Sequence, residues 1–264
     1  MCATCGCSGD EHMDHHDPAG AHDHDHTHDH VHEHRHDHPH EHRESRTVRL
    51  EQDVLLKNNR LAERNRGFLE ARRVRALNLM SSPGSGKTTL LERTIERLRD
   101  AHAIGVIEGD QETARDAERI RAAGAEAVQI NTGKGCHLDA AMVAGALRTL
   151  DPKQGSLLFI ENVGNLVCPA LFDLGEGDKI LICSVTEGED KPLKYPYMFR
   201  ACQILVVTKI DLLPHLDFDR DRFLANARMV NPRLRIFEVS ARQGTGLDAW
   251  CGFLTDVRAL HQER

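Results

Sequence analysis

A glycine- and serine-rich turn, placed between an apolar run and an amphipathic segment, is the feature that most constrains how this 264-residue chain can fold. The apolar run at 76–80 predicts a buried strand, and residues 90–98 have the spacing of a helix. The turn between them, 81–89, reads SSPGSGKTT. Strand, glycine-rich loop and helix in this order are typical of a phosphate-binding loop, in which backbone N–H groups surround a β-phosphate. We therefore expect the chain to bind a nucleoside triphosphate.

The residue types of this loop predict separate roles for its members. Lys87 is expected to neutralise the β- and γ-phosphate oxygens, and the Thr88 hydroxyl is expected to bind Mg²⁺. Ser81 stands where the usual pattern G-x-x-x-x-G-K-[ST] has its first glycine, a position that needs only a small residue. The predicted phosphate-binding residues are Gly84, Ser85, Gly86, Lys87, Thr88 and Thr89.

Strand-like and helix-like patterns alternate along the rest of the chain. Further strands are predicted at 103–107, 127–130, 157–160, 180–185, 204–207 and 235–239. Helices are predicted at 50–69, 87–100, 111–123, 137–150, 219–230 and 246–260. This alternation predicts an α/β fold of the P-loop NTPase type, with a mostly parallel, doubly wound sheet that binds ligands at the carboxyl ends of its strands.

Two polar motifs after later strands predict that the base is guanine. Residues 208–211 read TKID and residues 240–242 read SAR, which resemble the N-K-x-D and S-A-[KR] motifs of GTPases. A carboxylate at Asp211 can accept hydrogen bonds from guanine N1–H and the exocyclic amine together, whereas adenine offers no such donor pair. Thr208 replaces the usual Asn and removes a side-chain amide that braces the loop, so looser base selectivity is expected. The predicted base-binding residues are Thr208, Lys209, Asp211, Ser240 and Ala241, with Lys209 along the base and the Ala241 N–H at guanine O6.

Carboxylates that follow the strands beside the loop are expected to complete a Mg²⁺ site. Asp110 ends the sequence EGD, and Glu161 begins the sequence ENVG. Thr88, Asp110 and Glu161 could share one octahedral Mg²⁺ through oxygen or water, and with Lys87 they are the predicted catalytic residues. The Gly164 N–H is expected to bind the γ-phosphate, so the segment after it should change shape on hydrolysis. No glutamine beside Gly164 is suited to orient water, so slow intrinsic hydrolysis is expected unless a partner subunit completes the site.

Two thiols and an imidazole form a candidate site for a transition metal. Cys168 follows Glu161 by seven residues, and Cys136 and His137 lie at a predicted helix N-terminus, where the helix dipole favours thiolate. Adjacent helical residues diverge by about 100°, so Cys136 and His137 can share a metal only at the helix start or across a dimer. The residue types suit Zn²⁺ or Ni²⁺. The alternative is a pair of buried cysteines beside a histidine that is satisfied by hydrogen bonds.

The first 45 residues have a composition that cannot form a core. Fourteen of the 18 histidines lie before residue 43, and from His22 to His42 every even position is His, interleaved with acidic residues. We expect residues 1–45 to be a disordered, Cys- and His-rich metal-binding tail and residues 46–264 to be a GTPase domain with an N-terminal helix. Alternate imidazoles suit Ni²⁺, Cu²⁺ and Zn²⁺, and many weak sites are typical of storage. An expression tag is the alternative, although tags are usually unbroken histidine runs.

Charge and hydropathy argue against other classes of protein. The net charge is −7, but the chain after the histidine tract is nearly neutral and gives no argument for nucleic acid binding. No apolar run is long enough for a membrane span, and no signal-peptide core is present, so a cytoplasmic protein with reduced cysteines is expected. Cys183, Cys202 and Cys251 have apolar neighbours and are predicted to be packing residues.

Together these motifs resemble the HypB family, the GTPases that insert nickel during maturation of [NiFe]-hydrogenase. The resemblance covers nearly the whole chain and rests on residues 1–7, 81–88, 107–111, 131–139, 161–169 and 186–196. It implies a SIMIBI-type G domain that forms a homodimer promoted by GTP, with the nucleotide near the subunit interface. It also implies a HypA-type nickel chaperone and the hydrogenase large subunit as partners.

The same resemblance implies two metal sites. Cys2, Cys5 and Cys7 would form a tight N-terminal nickel site, while Cys136, His137 and Cys168 would bind nickel or zinc in the G domain. The long histidine tract is similar to that of family members that also store nickel. Because Cys168 lies on the segment that begins at Glu161, the state of the bound nucleotide, GTP or GDP, is expected to set the geometry of the metal site, and hydrolysis to drive nickel release.

Two other functions remain open at this stage. One is a nickel or zinc buffer with a regulatory GTP site, which the histidine tract favours and the complete set of nucleotide motifs disfavours. The other is a related GTPase that serves a different metalloenzyme, such as urease or a cobalamin enzyme. Cys136, His137 and Cys168, together with the N-terminal cysteines, favour hydrogenase.

Overall fold

A computed structural model describes residues 40–110, 115–133 and 135–256. The chain divides into two compact units, Met1–Asp53 and Val54–Arg264. The second unit contains the sheet and the sites described below. The predicted N-terminal metal ligands Cys2, Cys5 and Cys7, and the histidine tract up to residue 39, lie outside the described residues.

The described chain contains seven strands and eight α-helices. In order they are α1 His40–Ala71, β1 Arg75–Ser81, α2 Lys87–Leu98, β2 Ile104–Asp110, α3 Arg115–Ala123, β3 Glu126–Asn131, α4 Ala140–Leu150, β4 Leu157–Glu161, β5 Asp178–Ser184, α5 Lys191–Lys194, α6 Pro196–Ala201, β6 Ile204–Thr208, α7 Arg220–Val230, β7 Arg235–Val239 and α8 Leu247–Thr255. Two short 3₁₀ helices occupy Cys168–Ala170 and Ile210–His215.

The strands form one parallel sheet in the order β3-β2-β4-β1-β5-β6-β7. From β1 the chain moves outward on one side to β2 and β3, returns to insert β4 beside β1, and then adds β5, β6 and β7 on the other side. The loop after β1 therefore lies near the centre of the sheet, where the direction of winding reverses and where doubly wound folds bind ligands. The predicted fold class is confirmed.

Both faces of the sheet are buried, which explains why its strands read as continuous apolar runs. Alternate side chains of β1 point to opposite faces: Leu77 and Leu79 pack in one cluster with Leu91 of α2 and Trp250 of α8. Ala76, on the other face, packs in a cluster that also contains residues of α1 and α4. The cysteines predicted to be packing residues are buried, and burial raises the pKa of the Cys202 thiol to about 12. Among the described helices, none is both long and apolar enough to cross a membrane.

Several helix boundaries differ from the predicted ones. Helix α1 begins at His40, ten residues before the predicted start and inside the segment predicted to be a tail. Helix α4 begins at Ala140 rather than at residue 137, because the Asp139 carboxylate accepts a hydrogen bond from the Met142 N–H at 2.8 Å and caps the helix there. Helices α5 and α6 were not predicted, since four and six residues are too few to show a helical period.

Candidate nucleotide and metal sites

The loop between β1 and α2 has the backbone that a phosphate site requires. Gly84 and Gly86 have φ values of 74° and 91°, in the left-handed region that side chains disfavour. Gly86 directly precedes α2, so the N–H groups of the first helical turn, at Lys87 and Thr88, border the loop. Free N–H groups and the positive end of the helix dipole attract an anion to such a position.

The structure brings three of the four predicted catalytic side chains into contact. Lys87 Nζ lies 3.7 Å from Glu161 Oε1 and donates a hydrogen bond of 2.7 Å to the Asn162 carbonyl oxygen. The Thr88 hydroxyl donates to Glu161 Oε1 at 2.7 Å. The fourth, Asp110, ends β2 and is half-buried.

A second buried carboxylate, Glu108, accompanies Glu161 and was missed by the sequence analysis. The two residues are opposite each other on β2 and β4, and their exposed fractions are only 2% and 3%. Burial, and then the negative charges of Glu161 and Asp110, raise the pKa of Glu108 to about 8. Burial also raises the pKa of Glu161, against the influence of Lys87 and Thr88. A charged residue inside a buried strand was the available sequence signal.

These carboxylates fit a hard divalent cation. The Oε2 atoms of Glu108 and Glu161 are buried and receive no hydrogen bond within the described part of the chain. Buried carboxylate oxygens that lack a partner are unfavourable, and Mg²⁺ with its bound water supplies the charge and the donors that such oxygens need. The donor set around Thr88 therefore suits Mg²⁺.

The predicted base-binding residues lie at the ends of β6 and β7. Asp211 Oδ1 accepts a hydrogen bond of 2.6 Å from the Ser240 hydroxyl, which fixes the orientation of the carboxylate. Ala241 follows Ser240 directly and is half-buried. Lys209 adopts a left-handed conformation with φ 60°, and its Nζ donates to the Gly84 carbonyl oxygen at 2.7 Å. The two motifs that predicted guanine are thus connected to each other and to the phosphate loop.

Thr208, which replaces the Asn of the usual motif, still contacts the phosphate loop. Its hydroxyl donates to the Ser85 carbonyl oxygen at 2.6 Å. Looser selectivity for the base stays a prediction.

The segment after β4 packs directly on the phosphate loop. A Cβ atom added at Gly164 would lie 3.1 Å from atoms of Pro83, so only glycine allows this close approach without displacement. Four residues later the chain enters the short 3₁₀ helix that begins at Cys168. Gly164 thus lies against the phosphate loop, and the contact of its N–H with a γ-phosphate stays a prediction.

Cys136, His137 and Cys168 form the predicted thiol and imidazole cluster. Their candidate ligand atoms all lie within 4.8 Å of one another. The two Sγ atoms are 3.0 Å apart, and Cys136 Sγ lies 3.6 Å from His137 Nδ1. The His137 ring stacks on Phe172 with 3.9 Å between centroids, and burial lowers the pKa of the imidazole. At neutral pH the ring is therefore in the neutral form that binds metals.

The helix at whose N-terminus Cys136 and His137 were predicted to lie begins three residues later than expected. Cys136 and His137 lie in the loop before α4, because the Asp139 cap delays the helix until Ala140. Adjacent residues in a loop are not forced to diverge as they are on a helix, so both side chains face Cys168. One subunit can supply all three ligands, and a dimer is not needed for them to meet.

Asn162 connects the phosphate loop to the metal loop, and its role was not recognised in the sequence. It is 1% exposed, and its carbonyl oxygen accepts the hydrogen bond from Lys87. Its side-chain oxygen accepts from the N–H groups of Leu138 at 3.2 Å and Val163 at 3.0 Å. Because Leu138 follows His137 directly, one buried residue contacts both sites.

Comparisons with known proteins identify the family of this domain. The family described as CobW/HypB/UreG, nucleotide-binding domain, matches residues 75–238. Hydrogenase maturation factor HypB from Azotobacter vinelandii is 60% identical over 215 residues, which cover 81% of this chain and 71% of that protein.

Two solved structures are also similar. HypB from Helicobacter pylori in complex with nickel has a TM-score of 0.74 and 38% identity, over 78% of this chain and 98% of that one. Hydrogenase maturation factor HypB from Archaeoglobus fulgidus has a TM-score of 0.71 and 43% identity, over 75% of this chain and 97% of that one. The nucleotide-binding domain, the fold and the sequence identity all lead to the same conclusion: this chain belongs to the HypB family of hydrogenase maturation factors.

Proposed function

We propose that this chain is a GTP-hydrolysing nickel metallochaperone that delivers Ni²⁺ to the large subunit of [NiFe]-hydrogenase. The observation that carries the proposal is the connection through Asn162 between Lys87 of the phosphate loop and the loop of Cys136 and His137. In this proposal the metal site and the nucleotide site share one buried residue. The relative from H. pylori was solved with nickel, which supports nickel as the cargo.

In this proposal GTP binds along the carboxyl ends of β1, β6 and β7. The phosphates are held by Gly84, Ser85, Gly86, Lys87, Thr88 and Thr89, and the base by Thr208, Lys209, Asp211, Ser240 and Ala241. The bond from Ser240 to Asp211 orients the carboxylate toward the guanine N1–H and amine before the base arrives. Gly164 contributes its N–H near the γ-phosphate.

Mg²⁺ would be held by Thr88, Asp110 and Glu161, and it would supply positive charge against the β- and γ-phosphates. Lys87 contributes a second positive charge from a side chain that is 12% exposed. In such a water-poor site each charge acts more strongly than in bulk solvent. Hydrolysis therefore depends mainly on positioning and charge.

The cargo site consists of Cys136, His137 and Cys168. Two thiolates and a neutral imidazole suit Ni²⁺ or Zn²⁺. Cys2, Cys5 and Cys7 form a second, N-terminal nickel site, and the histidine tract stores further nickel. The membership of the family supports a cytoplasmic homodimer that works with a HypA-type chaperone.

Nucleotide and metal communicate through the contacts of Asn162 and through the segment that joins Glu161 to Cys168. A phosphate that binds Lys87 competes with the Asn162 carbonyl oxygen for the hydrogen bonds that Lys87 Nζ donates. Any shift of Asn162 acts on Leu138 and hence on the loop of Cys136 and His137. Coupling between two sites of this kind usually amounts to about 1–3 kcal/mol, or about 5- to 150-fold in affinity.

The test is the Ni²⁺ affinity of the full chain with GDP and with a non-hydrolysable GTP analogue. Cys2, Cys5 and Cys7 are replaced by Ser and the histidines before residue 43 by Asn, so that the tail does not mask the G-domain site. We expect an affinity ratio of about 5 or more, and the added substitution Cys168→Ala should abolish it. Dimer mass is followed in parallel. Equal affinities in both nucleotide states would contradict the proposal and favour a buffer with an attached GTPase.

The buffer function itself is tested by deletion of the histidine tract. Normal hydrogenase activity at ample nickel and a failure at scarce nickel would show that storage is an added function. A loss of hydrogenase activity at every nickel concentration would make the tract part of delivery.

A further inference from the structure

We propose that Glu108 is an additional ligand of the divalent cation at the nucleotide site, either directly or through a water bound to that cation. The inference rests on the nucleotide site of the proposed function and extends its cation site by one residue. It is drawn from the position of Glu108 in the sheet, from its surroundings and from its unpaired oxygen.

The sheet places Glu108 beside the residues expected to hold the cation. In the parallel pair of β2 and β4, Glu108 is opposite Glu161, so the two side chains are neighbours on one face. Asp110, two residues further along β2, lies on the same face as Glu108 at the carboxyl end of the strand. The Thr88 hydroxyl approaches from the start of α2 and contacts Glu161.

The surroundings of Glu108 are negative. Glu161, Asp110 and Asp116 all act on it with like charge, and Lys87 is the opposing positive charge. Lys87 already contacts the Asn162 carbonyl and Glu161. The positive charge of Lys87 acts on both Glu108 and Glu161, and that of Arg119 acts on Glu161. A divalent cation would add positive charge between the two buried glutamates.

Among the residues that the structure describes, the two glutamates each have one oxygen for which no donor is found. Glu108 Oε2 is buried and receives no hydrogen bond from the part of the chain that the structure describes, and the same holds for Glu161 Oε2. Most buried polar side-chain atoms have a partner. Two neighbouring exceptions on facing strands are explained together if a cation with its bound water belongs between them.

Glu176 offers a matched control, because it is a buried glutamate of the same chain with complete hydrogen bonding. It is 4% exposed. Its two carboxylate oxygens accept from Asn78 Nδ2 at 3.0 Å and from the Leu174 N–H at 2.7 Å. Loss of its charge should weaken the fold and leave cation binding as it is.

The experiment measures Mg²⁺ affinity in the full-length wild type and in Glu108→Gln, Glu108→Ala and Glu176→Gln. Each protein is loaded with a fluorescent GDP, and Mg²⁺ is titrated from an EDTA-treated state. We expect Mg²⁺ affinity to fall about 10-fold or more in both Glu108 variants, as is usual for ligands of a metal and their supporting partners, and to be unchanged in Glu176→Gln. The affinity for GDP in EDTA is measured for every protein, and in Glu176→Gln it should stay at the wild-type value.

Thermal unfolding in EDTA gives a second readout that does not depend on activity. At about pH 9, where the Glu108 carboxyl is ionised, Glu108→Gln should melt at a higher temperature than the wild type, because the substitution removes a buried charge and its amide can donate to Glu161. Glu176→Gln should melt at a lower temperature.

Each failure has a distinct meaning. Unchanged Mg²⁺ affinity in both Glu108 variants, or a lower melting temperature of Glu108→Gln in EDTA at the same alkaline pH, would overturn the assignment of Glu108. Failure of the wild type to bind any guanine nucleotide would instead overturn the proposed function.

Discussion

The structure contains two groups of buried carboxylates that differ in how well their oxygens are paired. Near the carboxyl ends of β2 and β4, Glu108 and Glu161 each keep one oxygen without a hydrogen bond from the described residues. In the loop before β5, Glu176 is buried to a similar degree, yet both of its oxygens accept hydrogen bonds. Burial alone therefore does not separate the two groups, whereas the pairing of their oxygens among the described residues does.

The largest effect that this comparison predicts is on hydrolysis. Glu161→Ala removes the acceptor of the Thr88 hydroxyl and a predicted Mg²⁺ ligand, so the GTPase rate should fall about 100-fold or more. Single-turnover hydrolysis of GTP at saturating Mg²⁺ measures it. Circular dichroism of the variant serves as the control for folding. A rate within a few-fold of the wild type would show that Glu161 is not needed for hydrolysis.

Glu176→Ala should affect stability instead. The substitution leaves the Asn78 amide and the Leu174 N–H without their acceptor, and each unsatisfied buried group costs about 1–3 kcal/mol. We expect the free energy of unfolding in urea to fall by about that amount or more, with little change in the GTPase rate of the folded fraction. Unchanged stability together with a loss of hydrolysis would contradict the structural role of Glu176.

The pH dependence of stability should differ between the wild type and Glu108→Gln. Because the pKa of Glu108 is raised to about 8 in the folded protein from 4.5, the folded state binds more protons than the unfolded state between these values. The contribution of Glu108 to stability is therefore greatest at low pH and decreases as the pH rises from about 5 to 8. Urea unfolding in EDTA at several pH values should show a flatter dependence for Glu108→Gln. Parallel curves for the two proteins would contradict this expectation.

The smallest predicted effect concerns a single contact on the guanine side. Thr208→Val removes the hydroxyl that donates to the Ser85 carbonyl, and a hydrogen bond of this kind contributes about 0.5–1.5 kcal/mol. GDP affinity, measured by calorimetry, should fall about 2- to 10-fold. Thr208→Ser keeps the hydroxyl and should bind GDP nearly as the wild type does. Equal GDP affinities of Thr208→Val and Thr208→Ser would show that the hydrogen bond from Thr208 to Ser85 does not affect binding.

The sequence predicts the sheet well and the loops less well, for physical reasons. Strands buried on both faces, such as β4 and β6, are short apolar runs that are recognised without any tertiary information. The start of α4 depends on a capping contact between Asp139 and Met142, and the predicted start at residue 137 did not take this cap into account. The bond from Thr208 to Ser85 joins residues that are 123 positions apart, and no local pattern encodes it.

The site residues follow the same division. Motif positions such as Lys87, Thr88 and Glu161 are found together as predicted, because the strand-loop-helix order fixes their neighbourhood. Glu108 and Asn162 were missed because their roles depend on which strands become neighbours. That information is contained in the order of the sheet, where β4 inserts between β2 and β1.

The two contacts from the end of β6 to the phosphate loop also bear on the thermodynamics of binding. Thr208 and Lys209 donate hydrogen bonds to the carbonyl groups of Ser85 and Gly84, so two consecutive residues of the loop are restrained once the sheet has formed. The conformational entropy of that loop is then lost during folding, and a ligand that arrives later needs to order little of it. In this preorganised arrangement, part of the affinity for nucleotide is set by how firmly β6 is packed in the sheet.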